Sequence, residues 1–226
     1  MENRILCSAV IVAGGNGSRM NRKEKKQFLM IGDSPILVHT VKNISKSDLI
    51  TEIIVVAPKE ETDETKKMLK DLKKVKKVVS GGKTRAESVK CGIDEVSDCD
   101  IILIHDGVRP FIKKDTAENC IKDAQKYGGA VLGVCVKDTV VIKDSDENID
   151  TVLKRKSLIA VQTPQCFRAE LIRKAYSDFD ESLTDDASQV KRIGGTVHIT
   201  EGDFSNIKIT VPEDLITAEN MIKTNG

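Results

Sequence analysis

Several things that would assign the chain to a class early are missing from its 226 residues. No apolar run approaches the ~18 residues of a membrane span, and no N-terminal signal sequence is visible. The six cysteines, Cys7, Cys91, Cys99, Cys120, Cys135 and Cys166, include no Cys-x-x-Cys pair. Scattered through strand-like and helix-like segments, they read as free thiols in a reducing cytoplasm rather than as disulfides or a zinc site. The histidines, His39, His105 and His198, are too dispersed to suggest a metal site. The net charge is only +1, so the basic excess that marks a nucleic-acid surface is absent. The lysine-rich stretch 66–77, with Glu64 just before it and Asp71 within it, reads as a solvated helix face. There is no internal repeat and no low-complexity linker. With 39% hydrophobic and 31% charged residues, the chain is expected to be one soluble domain, 1–226, interacting with neither membrane nor nucleic acid.

What is present begins near the N-terminus. An apolar run, 9–13, opens into Gly14-Gly15-Asn16-Gly17-Ser18-Arg19-Met20, with Lys25, Lys26 and Gln27 close behind. Glycines let backbone N–H groups approach an anion, and Arg and Lys add charge that does not titrate near neutrality. The combination suits a triphosphate. It is not a P-loop, because no Gly-Lys-Ser/Thr follows at the required spacing. It also lacks the third glycine of a dinucleotide fingerprint and an acidic residue at the end of a second strand. On composition alone the loop could equally be an ordinary strand-to-helix turn with a basic tail.

The rest of the chain alternates. Segments 7–13, 52–57, 77–79, 101–105 and 130–136 are rich in Val and Ile and read as strands; 36–45, 60–70, 85–96 and 114–127 read as helices. This pattern predicts an α/β fold: a mostly parallel twisted sheet with helices on both faces and right-handed crossovers. Ligands of such sheets bind beyond the carboxyl ends of the strands, where the Gly14 loop, Gly81-Gly82 and His105-Asp106 would converge. Segment 137–160 breaks the alternation. Polar and β-branched, with a turn at 144–148, it reads as a hairpin arm that packs either on its own domain or on another subunit. Beyond it, 168–178 and 185–193 look helical, 196–201 and 207–210 look extended, and 212–223 looks like a closing helix with Pro in its first turn.

Six segments could carry chemistry: 14–26; Gly81-Gly82-Lys83-Thr84-Arg85-Ala86-Glu87-Ser88; His105-Asp106-Gly107-Val108-Arg109-Pro110; Lys137-Asp138-Thr139; Arg155 with Val161-Gln162-Thr163-Pro164-Gln165-Cys166-Phe167; and Thr184-Asp185-Asp186-Ala187-Ser188 with Asn206-Ile207-Lys208-Ile209-Thr210. Taken singly, each has a plain structural explanation, such as the helix N-cap at Thr84 or a turn at Asp106. An Asp at a strand end can also hold Mg²⁺ or a ribose hydroxyl, and Arg155 and Lys208 could seat a second, phosphorylated substrate.

In this order the segments resemble the 2-C-methyl-D-erythritol 4-phosphate cytidylyltransferase family, from Ala9 to Glu219. The resemblance implies a three-layer Rossmann-like nucleotidyltransferase fold with a projecting β-arm, and transfer of a cytidylyl group from CTP with Mg²⁺. It implies that Arg19 and Lys26 grip the triphosphate, the spacing to Gln27-Phe28 selecting Lys26 over Lys25, with Lys208 as a further catalytic cation. Ala13, Gly14, Gly15, Gly81, Gly82 and Ser88 would surround the nucleotide, and Asp106 would lie by the ribose and the metal. Thr139, Arg155, Thr163, Thr184 and Lys208 would form the acceptor pocket. The arm would be exchanged between the subunits of a homodimer. Gly14-Gly15 and Val108 lean instead towards a close relative that uses ribitol 5-phosphate. An alternative of another class is a nucleotide-binding regulatory protein without turnover; loss of Arg19, Lys26 or Asp106 would have indicated it, and all three are present.

Overall fold

A computed structural model of the chain describes residues 5–14 and 25–225. The strands are β1 (Cys7–Val12), β2 (Met30–Ile31), β3 (Ser34–Pro35), β4 (Ile50–Ala57), β5 (Val75–Ser80), β6 (Ile101–Asp106), β7 (Gly129–Cys135), β8 (Val141–Lys143), β9 (Ile149–Val152), β10 (Ile159–Arg168) and β11 (His198–Glu201). The α-helices are α1 (Ile36–Ser45), α2 (Thr62–Leu69), α3 (Arg85–Asp94), α4 (Lys114–Tyr127), α5 (Ala169–Ser177), α6 (Asp186–Arg192) and α7 (Pro212–Asn225). Seven strands form one sheet in the order β11-β7-β10-β6-β1-β4-β5. Every pairing in it is parallel except those of β10, which runs antiparallel to both β6 and β7.

Alternation along the central strands builds two cores. Cys7, Ala9 and Ile11 of β1 pack with α1 and α4 on one face, while Val10 joins α3 and α5 on the other. Both faces are covered, so β6 is buried throughout and β1 from Cys7 to Ile11, and both read as largely apolar runs, with Ser8 in β1 and His105-Asp106 closing β6 as the polar residues. A third, smaller cluster places α7 against Leu29, Ile31, Ile36 and Val108.

The β-α-β reading holds, with an added strand. Residues 161–167, not among the expected strands, belong to β10, inserted between β6 and β7. Pro164 has no N–H for the ladder, and the pairing with β7 shifts register between Val161 and Gln165, which accommodates it. Segment 207–210, expected to be extended, joins no sheet among the described residues; the Ile209 N–H donates to the Val108 carbonyl at 3.0 Å and ties it to the body.

The excursion is a hairpin. β8 and β9 pair antiparallel as a separate two-stranded sheet. At its tip the Asp144 carboxylate accepts from the N–H groups of Asp146 and Asn148, and Glu147 takes a left-handed conformation at φ 66°. Among the described residues no helix is long and apolar enough to cross a membrane, and all six cysteines are unpaired.

Candidate active site

The carboxyl ends of β1, β4, β5 and β6 meet at one edge of the sheet. The Ala13 N–H donates to the Val56 carbonyl, the Gly81 N–H to the Ala57 carbonyl and the Gly107 N–H to the Val12 carbonyl, each at 2.8 Å. Above this edge lies a cavity of about 190 Å³, bordered by Ala13, Gly14, Lys26, Gly82, Ser88 and Asp106 among others. Its glycines are there for proximity. A Cβ on Gly81 would lie 2.7 Å from Ser88 Oγ, and one on Gly82 would overlap the Glu87 side chain. The first turn of α3 therefore rests directly on bare backbone.

That turn is also capped, as the simple reading of Thr84 anticipates. Thr84 Oγ1 accepts from the Glu87 N–H at 3.1 Å, and Glu87 Oε2 accepts from the Thr84 N–H at 3.1 Å. Ser88 Oγ donates to the Thr84 carbonyl and accepts from the Gly82 N–H at 3.2 Å. A helix cap and a cavity wall are built from the same residues. Gly15 and Arg19 lie outside the described residues. Lys25 pairs with Glu61 at 2.8 Å, whereas Lys26 borders the cavity.

Asp106 closes β6 and is the electrostatic centre of the site. Lys208 Nζ lies 2.8 Å from its Oδ2, Arg109 Nε 3.6 Å from Oδ2 and Arg85 Nε 3.5 Å from Oδ1. Burial alone would raise the pKa of this carboxyl. Arg85 first, then Lys208 and Arg109, overcome that and hold it well below the usual carboxylate range. Asp106 is thus a permanent anion ringed by cations. Lys208 reaches it because Ile209 is tied to Val108 and because Arg109 Nη1 donates to the Asn206 carbonyl at 2.8 Å. Beyond Lys208, the Asp214 carboxylate accepts from the N–H groups of Thr210 and Val211 and anchors the start of α7.

A second cavity, of about 230 Å³, adjoins the first and is bordered by Arg109, Gln162, Thr163, Gln165, Thr184 and Asp185. Arg85, Asp106 and Lys208 border both cavities. Under the floor of the second lies His105, fully buried. Its Nε2 sits 3.1 Å from the Arg109 carbonyl, which can only accept, so Nε2 carries the proton and Nδ1 is an acceptor. Thr163 Oγ1, 3.0 Å from Nδ1, therefore donates to it and accepts from the Asp106 N–H at 3.1 Å. Burial pulls the His105 pKa down to about 4, so the ring is neutral at pH 7 and this pattern is stable.

Of the residues singled out from the sequence, the fold brings Ala13, Gly14, Gly82, Ser88, Lys26, Asp106, Lys208, Thr163 and Thr184 to the two cavities, with Gly81 immediately behind Ser88. Thr139 and Arg155 border neither; Arg155 lies at the base of the arm, its Nη1 donating to the Lys137 carbonyl at 2.9 Å. Sequence reasoning gave no role to Arg85, Arg109, Gln162 or Gln165. Their only signal was membership of motifs, since periodicity does not reveal which polar residue of a strand or helix end turns inwards.

Known proteins resemble this chain over nearly its whole length. Residues 7–224 match the model of the family described as 2-C-methyl-D-erythritol 4-phosphate cytidylyltransferase (IspD). A protein of that name from Clostridium botulinum (strain Eklund 17B / Type B) is 44% identical over 223 residues, spanning 96% of this chain and 99% of the relative. One from Clostridium perfringens (strain SM101 / Type A) is 42% identical over 222 residues, spanning 95% and 98%. The crystal structure of 4-diphosphocytidyl-2C-methyl-D-erythritol synthase from Anaerococcus prevotii DSM 20548 matches with a TM-score of 0.85 and 30% identity, over 98% of this chain and all of that one.

Proposed function

This chain belongs to the 2-C-methyl-D-erythritol 4-phosphate cytidylyltransferase family, and on that premise we propose how its residues divide the work. It is a nucleotidyltransferase that joins CTP to 2-C-methyl-D-erythritol 4-phosphate, giving 4-diphosphocytidyl-2-C-methyl-D-erythritol and pyrophosphate on the way to isoprenoid precursors. Ribitol 5-phosphate is not favoured as acceptor, because the relatives carry the methylerythritol phosphate name.

CTP occupies the cavity bordered by Ala13, Gly14, Gly82 and Ser88, with Gly81 behind Ser88 and Gly15 as a further nucleotide-binding residue. The polyol phosphate occupies the one bordered by Thr163 and Thr184. The observation that carries this reading is that the two cavities share Arg85, Asp106 and Lys208, so two anions held there would meet end to end. An oxygen of the polyol phosphate attacks the α-phosphorus of CTP. A new P–O bond forms, the bond from the α-phosphorus to the bridging oxygen of the β-phosphate breaks, and pyrophosphate leaves with that electron pair. No protein nucleophile is required, because the attacking phosphate is already anionic. The protein supplies position and positive charge. Arg19, Lys26 and Lys208 neutralise charge on the α-phosphate and the leaving group. Thr163 has committed its hydroxyl proton to His105, so it offers the acceptor a lone pair, which suits a polyol hydroxyl and not a phosphate oxygen.

The donor set fits a magnesium ion that arrives with the triphosphate. Mg²⁺ is commonly held by one or two carboxylates and completed by phosphates and water. Asp106 would hold it with one carboxylate, and no cluster of three or more His, Cys, Asp or Glu among the described residues offers an all-protein cage. When bound, the ion supplies charge neutralisation at the phosphate oxygens.

The arm pairs with a second copy of the chain in a homodimer, which delivers Thr139 and Arg155 to the partner's acceptor pocket. Ile149 and Val152, which are 67% and 62% exposed, support this reading. Unpaired thiols on every cysteine are in keeping with a cytoplasmic setting.

Pyrophosphate release, measured with CTP and each acceptor in turn, tests the assignment. Turnover is expected with methylerythritol phosphate and not with ribitol 5-phosphate, and Lys26→Ala is expected to lower kcat by ~10²–10³ with the fold intact. A folded Lys26→Ala variant with near-normal kcat would remove Lys26 from the mechanism.

A further inference from the structure

Arg85 begins α3, and its guanidinium is divided between two carboxylates. Nη1 and Nη2 grip Asp186 in a bidentate fork, at 3.0 Å to Oδ1 and 2.8 Å to Oδ2. Nε is turned to Asp106, 3.5 Å from Oδ1. Asp186, at the start of α6, is fully buried and also accepts from the Tyr176 hydroxyl at 2.6 Å. A carboxylate without solvent needs a counter-ion that stays. A guanidinium fork matches both oxygens at once, which an ammonium cannot do. Arg85 is therefore not at liberty to swing onto a substrate phosphate, since doing so would strand the buried charge of Asp186. Lys208 is the opposite case: its side chain is 38% exposed, and among the described residues its ion pair is with Asp106.

We propose that Arg85, anchored by Asp186 and Tyr176, is a positioning residue that keeps the Asp106 carboxylate in place and charge-balanced when Lys208 leaves it for a substrate phosphate. Of the cations against Asp106, Arg85 is then locked by its fork and Arg109 is tied to the Asn206 carbonyl, while Lys208 is the movable one. With Arg85 locked, Asp106 keeps a partner and does not follow Lys208 into the phosphates, so the wall between the two cavities holds its shape while both fill. This rests on the assignment of CTP and polyol phosphate to the two cavities.

Arg85→Lys retains the charge and loses the fork. Steady-state kinetics of the full chain are expected to show kcat/KM reduced about 10- to 100-fold for both substrates. A second readout separates positioning from mere stability: the dissociation constant of CTP with Mg²⁺, measured by calorimetry in a double-mutant cycle with Asp106→Asn. The loss of CTP affinity caused by Arg85→Lys in the wild-type background is expected to shrink to within twofold in the Asp106→Asn background, because Arg85 acts through Asp106. An equal loss in both backgrounds would make Arg85 a direct ligand and overturn the proposal, as would a folded Arg85→Lys variant with kinetic constants within twofold of wild type. Should Arg85→Lys not fold, Tyr176→Phe tests the anchor, since it removes one hydrogen bond to Asp186 and adds no volume. A severalfold fall in kcat/KM at a temperature well below its Tm is expected, and unchanged constants for both substrates would overturn the anchoring role. Wild-type protein is run alongside. If it bound CTP but released no pyrophosphate with methylerythritol phosphate, the function above would fail, while the calorimetric cycle would still decide the role of Arg85.

Discussion

His105 illustrates how one buried side chain sets the chemistry of its neighbours. Its proton goes to the Arg109 carbonyl, so Thr163 must donate to it, and the Thr163 oxygen in turn holds the Asp106 N–H. A neutral ring is essential to this chain of donors, and burial enforces it by lowering the pKa from 6.5 to about 4. Between those two values the unfolded chain binds the proton and the native one does not, so stability rises with pH across that window. The contribution is complete above about pH 6.5 and is lost as the pH falls towards 4, a swing of about 3 kcal/mol at 1.36 kcal/mol per pKa unit. Urea unfolding at several pH values between 7.5 and 4.5 should therefore show a shallower acid decline in His105→Gln than in the wild type; parallel curves would exclude His105 as the cause. Residue by residue, Gly14, Gly82 and Asp106 were legible only through the ordered set of motifs, because each taken alone reads equally well as a turn. Arg85 and His105 were not. Their roles depend on which partner each meets across the fold: Asp186 is 101 residues from Arg85 and Thr163 is 58 from His105.

At the scale of elements, the same contrast separates β1 and β6 from β10. The first two are buried on both faces and mainly apolar, with Ser8 in β1 and His105-Asp106 at the end of β6 as the exceptions. β10 carries Gln162, Thr163, Pro164 and Gln165 in its middle, all buried. Polar residues turned towards a site, with a proline among them, mask the period-2 signal by which a strand is found. The arm was legible as a break in the alternation but not as to its partner, because a hairpin's outer face does not name what covers it. Replacing Ile149 and Val152 together with Asp is expected to bring the mass by light scattering from twice the 24.8 kDa of one chain to a single chain; an unchanged dimer would place the interface elsewhere. Helix α3 makes a different point. Gly92 lies against the sheet so closely that an added Cβ would overlap Val10 Cγ1 and sit 2.8 Å from Val56 Cγ2. Gly92→Ala is therefore expected to cost about 1–3 kcal/mol in chemical denaturation, despite the better helix propensity of alanine. A stabilised variant would show that α3 can move away from the sheet.

The whole molecule is nearly neutral, yet Lys26, Arg85, Arg109 and Lys208 gather around two buried carboxylates at one edge of the sheet. Parallel topology explains how. Strands that run the same way end on the same side, so loops far apart in sequence deliver their charges to one place. That much follows from the β-α alternation. The division of the edge into two adjoining cavities does not, because it depends on β10 running against its neighbours and carrying Thr163 to Asp106. Two small anions are expected to meet across Asp106 and Lys208, and a crystal structure with bound 4-diphosphocytidyl-2-C-methyl-D-erythritol tests this most directly. The cytidine should lie against Gly82 and Ser88, the polyol against Thr163 and Thr184, and the diphosphate should bridge the two cavities within reach of Lys208. A product with both halves in one cavity, or with its diphosphate remote from Lys208, would contradict it.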